Sequence, residues 1–96
     1  MTDYLTDLAE RIRRRVDPSV VPDEPEILTL FRTYALLALV KGPETTREDV
    51  HDAWVLWMVE RDHSHQALLP FSELTDEQKR QDEPFLDAIH DVSSGD

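Results

Sequence analysis

The chain contains no cysteine, and this absence excludes several functions at once. Disulfide bonds, thiolate metal sites and cysteine nucleophiles cannot form. A small protein without disulfides is typical of a reducing compartment, so we expect a cytoplasmic location. Glycine is also scarce, with two residues in 96, and the chain therefore has no glycine-rich loop of the kind that cradles phosphates.

Long apolar runs and basic residues are also in short supply. The longest apolar-rich segment, residues 27–40, is interrupted by polar side chains and is shorter than the ~20 residues that a membrane span needs. The N-terminal residues lack the basic and apolar stretches of a signal peptide. Lys and Arg number 10 against 21 Asp and Glu, which gives a net charge of −11. Because such a surface repels phosphates, we expect no direct nucleic-acid binding. Because no apolar segment is long enough to span a membrane, we also expect no membrane partner.

Apolar residues recur at helical spacing along most of the chain, and strand-like alternation is absent. We predict an all-α fold, a compact bundle of four to five helices at about residues 3–15, 24–40, 46–62, 76–81 and 83–92. The second helix should begin near residue 24, with Pro25 in its first turn. Pro70 prevents a regular helix through residues 66–74, where we predict a Pro-aromatic turn. The length fits one domain, residues 1–96, with residues 93–96 as a flexible tail.

Three sequence signals predict where the later helices begin. Thr45-x-x-Glu48 and Thr75-x-x-Gln78 have the form of capping boxes, in which a hydroxyl and a carboxyl or amide group satisfy the first backbone N–H groups of a helix. Asp82 is placed to cap the last helix. These signals predict helix starts at residues 46, 76 and 83.

No arrangement of residues with a catalytic pattern is found, so we expect no enzymatic activity and no catalytic residues. Neighbouring acids such as Asp76 and Glu77 diverge on a helix and do not form an acid–base pair. His63-x-His65 supplies two of the three or four convergent ligands that a zinc site needs. We therefore expect no metal ion and no cofactor.

Residues 51–82 carry the most specific pattern in the chain, which runs His-x-x-Trp, His, Leu-x-Pro-aromatic-x-x-Leu, Lys and Asp. The residues that match it are His51, Trp54, His65, Leu68, Pro70, Phe71, Leu74, Lys79 and Asp82. This segment resembles the core of the ryanodine-receptor-type (RyR) repeat, although the Gly-Trp-x-Gly segment of that repeat is absent. The resemblance implies a nucleotide-like ligand beside a tryptophan. The ligand-binding residues that it implies are His51, Trp54, Arg61, His65 and Phe71.

The whole chain also resembles a family of small uncharacterised proteins of actinobacterial phages. Those proteins share an N-terminal helix, a Trp-rich middle, a Pro-Phe-x-x-Leu turn and a terminal Asp-x-Pro-Phe-x-x-Ala-Ile helix, which here is residues 82–89. This resemblance implies a phage accessory protein that acts in the host cytoplasm, and it implies no catalytic residues.

Three functions are open at this point. The first is a non-enzymatic phage accessory protein that binds a host or phage protein through its acidic C-terminal third, with Glu73, Asp76, Glu77, Asp82 and Glu83 as the contact residues. A homodimer is a further prediction, because the second helix is apolar almost all round. The alternative is a small-ligand module of RyR type. The third is an acidic DNA mimic, which the excess of acids in residues 17–96 suggests.

Overall fold

The computed structural model describes residues 3–95, and its regular structure is entirely helical. The five α-helices are α1 Tyr4–Arg14, α2 Ile27–Val40, α3 Arg47–Val59, α4 Asp76–Arg80 and α5 Glu83–Ser93. Short 3₁₀-helices occupy Pro18–Val20, Gly42–Glu44 and Phe71–Glu73. Within residues 3–95 there is no strand, so the all-α prediction is confirmed.

Helix α2 is the centre of this arrangement, because α1, α3 and α5 all pack against it. Its 14 residues include one base and no acid, which suits a helix with neighbours on several sides. Phe31 and Tyr34 of α2 meet Phe85 of α5, with ring centroids 5.6 to 6.1 Å apart. The other apolar side chains of this core are Ala9, Ile12, Val16, Ile27, Leu30, Ala35, Val50, Ala53, Trp57, Ala88, Ile89 and Val92.

Helix α2 begins at Ile27, and the prediction of a start near residue 24 was wrong. Pro25 disfavours helical backbone in the residue before it, and Glu26 has a left-handed backbone with φ of 64°. Two hydrogen bonds, one from α3 and one from the turn that follows α3, hold Glu26 in this conformation. The indole N–H of Trp57 donates to the Glu26 carbonyl at 3.3 Å, and Arg61 donates to the Glu26 carboxylate at 2.8 Å.

The capping box of α3 lies one residue later than the sequence pattern predicted. The Thr46 hydroxyl accepts the backbone N–H of Asp49 at 3.2 Å, and the Asp49 carboxylate accepts that of Thr46 at 2.9 Å. Thr45 is buried instead, and its hydroxyl donates to the Gly42 carbonyl at 2.7 Å. Gly42, with φ of 55°, turns the chain sharply after α2, and this turn brings Thr45 inside.

The remaining helix ends agree with the predictions in part. Thr75 and Gln78 form the predicted capping box of α4. Helix α3 ends at Val59 rather than at residue 62. The predicted tail is shorter than expected, since Ser93 is the last residue of α5 and the Ser94 hydroxyl donates to the His90 carbonyl at 2.9 Å. Asp96, the end of that predicted tail, lies outside the described residues. Among the helices of residues 3–95, none combines the length and apolar content that a membrane crossing requires.

Two substitutions at the start of α3 test which residues form its capping box. Thr46→Ala removes the N-cap hydroxyl and should lower the free energy of unfolding by about 1 kcal/mol. Glu48→Ala removes the acid that the sequence pattern placed in the box, and it should change stability by less than about 0.5 kcal/mol. Urea denaturation of both variants measures the difference. A loss in Glu48→Ala as large as that in Thr46→Ala would contradict the Thr46–Asp49 box.

Candidate functional site

A cleft of about 780 Å³ lies between α3, the α4–α5 segment and the linker that precedes α2. Helix α3 contributes His51, Trp54 and Met58 to its lining, and the loop after α3 contributes His65. The remaining lining residues come from the linker, from α2 and from the segment 67–85. They are Val20, Pro22, Glu24, Leu30, Tyr34, Ala67, Leu74, Glu77, Gln78, Arg80, Gln81, Asp82, Pro84 and Phe85.

The two tryptophans of α3 have separate roles. They lie three residues apart, so they point in broadly similar directions from the helix. Trp57 is buried in the core, whereas Trp54 is half-buried and lines the cleft. The Trp54 ring stacks on His51, with centroids 5.7 Å apart and planes at 23°, and meets the edge of His65 at 5.1 Å. Trp54 therefore offers the cleft an aromatic wall whose orientation is set by two imidazoles.

His51 lies at the base of the cleft and is buried, with 3% of its surface exposed. Its Nε2 is 2.6 Å from the Leu69 carbonyl oxygen. Because a carbonyl can only accept, Nε2 carries a proton and donates it. In the neutral imidazole Nδ1 is therefore an acceptor, and it faces Oδ2 of Asp82 at 3.9 Å.

Asp82 is the acid closest to His51, and its position differs from both predictions made for it. It precedes α5, but its carboxylate caps no backbone N–H, because its own backbone is already helical with φ of −84° and ψ of −16°. Its side chain is 13% exposed, so it is not part of an open acidic surface. Oδ2 is buried and receives no hydrogen bond. Burial raises the pKa of Asp82 to about 6, against the opposing effect of His51 and Arg47.

His65 and Tyr34 also contribute polar groups to the cleft. Nδ1 of His65 accepts the backbone N–H of Ala67 at 3.0 Å, so the neutral ring carries its proton on Nε2. Tyr34 is 1% exposed. Burial raises the pKa of its hydroxyl, and the negative charge of Asp82 adds to that shift. Sequence reasoning missed Tyr34, because an aromatic residue in an apolar helix gives no sign that it lies beside a carboxylate.

Of the five predicted ligand-binding residues, His51, Trp54 and His65 come together in the cleft, and Arg61 and Phe71 do not line it. Arg61 lies over the Trp57 ring at 4.1 Å and donates to the Trp57 carbonyl at 2.6 Å. Phe71 packs behind His51, with centroids 6.2 Å apart. Arg61 and Phe71 thus hold α3 and His51 in place from outside the cleft.

The predicted acidic contact surface is only partly contiguous. Glu73, Asp76, Glu77 and Glu83 are exposed, and Asp82 is not. Glu77 faces the cleft together with Asp82. Glu83 forms an ion pair with Arg47 at 3.1 Å.

A second surface feature lies on α2 and α3. Five apolar side chains there are exposed, from 42% for Val59 to 72% for Val40. This α2/α3 apolar face consists of Leu36, Leu39, Val40, Leu56 and Val59. A shallow groove of about 330 Å³ runs between Leu36, Val40 and Leu56.

A metal site is not evident in the part of the chain that the structure describes. Residues 3–95 contain no group of three or more His, Asp or Glu side chains placed to hold one ion. His63 is exposed, and the neighbouring Asp62 carboxylate accepts hydrogen bonds from Ser64.

Comparison with known proteins places the chain in a family. A family model matches residues 3–94. The chain belongs to the family described as Domain of unknown function (DUF7701). No curated protein and no solved structure matches it. Because the match spans nearly all described residues, the cleft and the α2/α3 apolar face both lie within the family's domain.

The burial of Asp82 predicts a pH-dependent stability that Asp82→Asn should remove. The unfolded chain binds this proton with the ordinary pKa of 3.8, and the folded chain with a pKa of about 6. The folded state therefore holds more protons between these values, so ionisation of Asp82 costs stability as pH rises. Relative to Asp82→Asn, the wild-type chain should lose up to about 3 kcal/mol between about pH 4 and pH 7.

Urea denaturation across that range measures the difference between the two proteins. The comparison is needed because other carboxyl groups shift the opposite way: hydrogen bonds from Thr6 and Ser19 lower the pKa of Asp3 and Asp17. Parallel pH profiles, with Asp82→Asn less stable throughout, would show that the buried carboxylate is stabilising.

Proposed function

We propose that this domain is a non-enzymatic binding module whose cleft receives a small planar organic ligand against Trp54. The observation that carries this proposal is the arrangement of the cleft, in which the half-buried Trp54 indole stacks on His51 and Nδ1 of His51 lies 3.9 Å from the Asp82 carboxylate. Ligand sites commonly combine apolar and aromatic walls with a few fixed polar groups, and a volume of several hundred Å³ is typical of them.

The lining favours recognition over chemistry. It contains no serine, threonine or lysine among the described residues, which leaves out the usual hydroxyl and amine nucleophiles. Burial raises the pKa of the Tyr34 hydroxyl, so this group stays protonated. His51 is held by the Leu69 carbonyl at 2.6 Å, and the Trp54 ring that stacks on this imidazole is positioned by it.

The RyR-type resemblance suggests that the ligand is nucleotide-like, and the cleft supports one part of that suggestion. Stacking on Trp54 suits a planar base. The cleft is poorly suited to bind a phosphate, because three carboxylates line it and Arg80 is the one Lys or Arg side chain in the described lining. The carboxylates are those of Glu24, Glu77 and Asp82. The base, rather than the phosphate, is therefore the part of such a ligand that the cleft would recognise.

A thermal-shift screen with nucleobases, nucleosides and nucleotides tests the proposal. A ligand at about 100 times its dissociation constant should add about 2.7 kcal/mol to the stability of the folded state. Trp54→Leu should abolish the shift, because it removes the stacking surface. Leu39→Ala, a substitution on the α2/α3 apolar face, should leave the shift unchanged. Equal shifts in Trp54→Leu and the wild-type chain would place the ligand elsewhere.

Protein–protein interaction is the second candidate function, and the α2/α3 apolar face favours it. Large exposed apolar patches on small domains commonly mark interaction sites. We propose a second copy of this chain as the partner. Residues 27–40 contain no acid in a chain that holds 21, so α2 itself adds no like-charge repulsion to a contact between two acidic copies.

Sedimentation analysis of the wild-type chain and of Leu56→Glu tests self-association. Leu56 is 62% exposed, so the substitution should leave the fold intact while placing a buried charge in the dimer. The dissociation constant should rise at least about tenfold, which corresponds to about 1.4 kcal/mol. Leu69→Glu, at an exposed leucine outside the face, is the control. A wild-type mass of 11.2 kDa at all concentrations would contradict the dimer.

The cellular setting that we propose is that of a phage accessory protein in the host cytoplasm, and the phage-type C-terminal pattern of residues 82–89 supports it. The DNA-mimic function ranks last among the proposals. The described chain measures 35 × 27 × 25 Å, so no face is long enough to imitate more than about one turn of duplex DNA.

A further inference from the structure

The charge of the cleft lining carries an inference about the class of ligand, and this inference rests on the proposed ligand-binding function. The carboxylates of Glu24, Glu77 and Asp82 line the cleft against the single guanidinium of Arg80. The two glutamates are exposed and lie in solvent, whereas Asp82 lies at the base. A charge at the base acts at shorter range and in a lower dielectric than the charges in solvent, so it dominates the potential that a bound ligand meets.

One oxygen of the Asp82 carboxylate, Oδ2, also receives no hydrogen bond. Nε2 of His51 is committed to the Leu69 carbonyl, which leaves Nδ1 of the neutral ring as an acceptor. Oδ2 of Asp82, 3.9 Å from that Nδ1, receives no hydrogen bond. Two acceptors thus face each other without a donor between them. Buried acceptors without partners are costly, and a ligand that brings N–H groups and positive charge to this end of the cleft would relieve that cost.

We propose that the cleft selects aromatic cations, ligands whose planar ring stacks on Trp54 and whose amidinium-type head directs its N–H groups to Asp82. Asp82 lines the cleft and 13% of its side chain is exposed, and the head pairs with the carboxylate from that side. An N–H group paired with a carboxylate forms the stronger, charge-assisted type of hydrogen bond. Anions of the same shape are rejected by the same carboxylate.

Three probes that share one ring and differ in the charge and the N–H groups of the head test this selectivity. Benzamidine is a cation, benzamide is neutral and benzoate is an anion, and all three share one ring. In ¹H–¹⁵N NMR titrations the indole N–H of Trp54 reports the cleft. The indole N–H of Trp57, which donates to Glu26 at 3.3 Å in the core, serves as an internal reference.

The expected result is a Trp54 shift with benzamidine at a dissociation constant at least tenfold lower than that of benzamide, and no shift with benzoate. Asp82→Asn should reduce benzamidine binding to the level of benzamide. Asp52→Asn removes an exposed acid of α3 that does not line the cleft, and it should leave the tenfold preference unchanged. Methylguanidinium, which has the cationic head without the ring, should bind at least tenfold more weakly than benzamidine.

Each contrary result has a distinct meaning. Equal binding of the three aromatic probes, with the Trp54 shift present, overturns the selectivity for cations and leaves the proposed ligand-binding function standing. Methylguanidinium binding as tightly as benzamidine overturns the role of the ring. If none of the probes shifts Trp54, the inference fails, and the nucleobase screen decides the proposed function separately.

Discussion

The contact of Phe85 with Phe31 and Tyr34 determines the architecture of the cleft. Phe85 is the first large apolar side chain of α5, and its burial against two rings of α2 sets where that helix enters the core. Asp82 precedes Phe85 by three residues and has a helical backbone, so the two side chains share a face. The aromatic contact therefore turns a carboxylate inward, toward His51, and burial of that carboxylate follows from the packing of its neighbour.

Local signals in the sequence predicted most of the helices, since they depend on residues a few positions apart. The Thr75–Gln78 capping box is one such case, and the end of α2 at Val40 is another. The start of α2 was missed because it depends on contacts across 31 and 35 residues, from Trp57 and Arg61 to Glu26. The capping box that begins at Thr46 was missed because the adjacent Thr45 and Thr46 each start a possible capping box. Only the burial of Thr45 selects between the two.

The part of the candidate site that lies on a single helix, α3, was predictable from the sequence. His51 and Trp54 lie one turn apart on α3, so their stacking could be anticipated from spacing alone. Arg61 does not line the cleft and instead stacks on Trp57, which serves the core. The placement of Asp82 and Tyr34 in the cleft depends on how α5 meets α2, and spacing along the chain carries no information about that contact.

Helix α3 borders both candidate surfaces, with His51 and Trp54 toward the cleft and Leu56 in the α2/α3 apolar face. Its position is fixed at two ends. Trp57 and Arg61 bind Glu26 near its C-terminus, and the Thr46–Asp49 box, extended by the Lys41–Asp49 ion pair at 2.8 Å, holds its N-terminus. A helix held in this way presents a preformed aromatic wall, so a ligand stacking on Trp54 loses little affinity to ordering the protein.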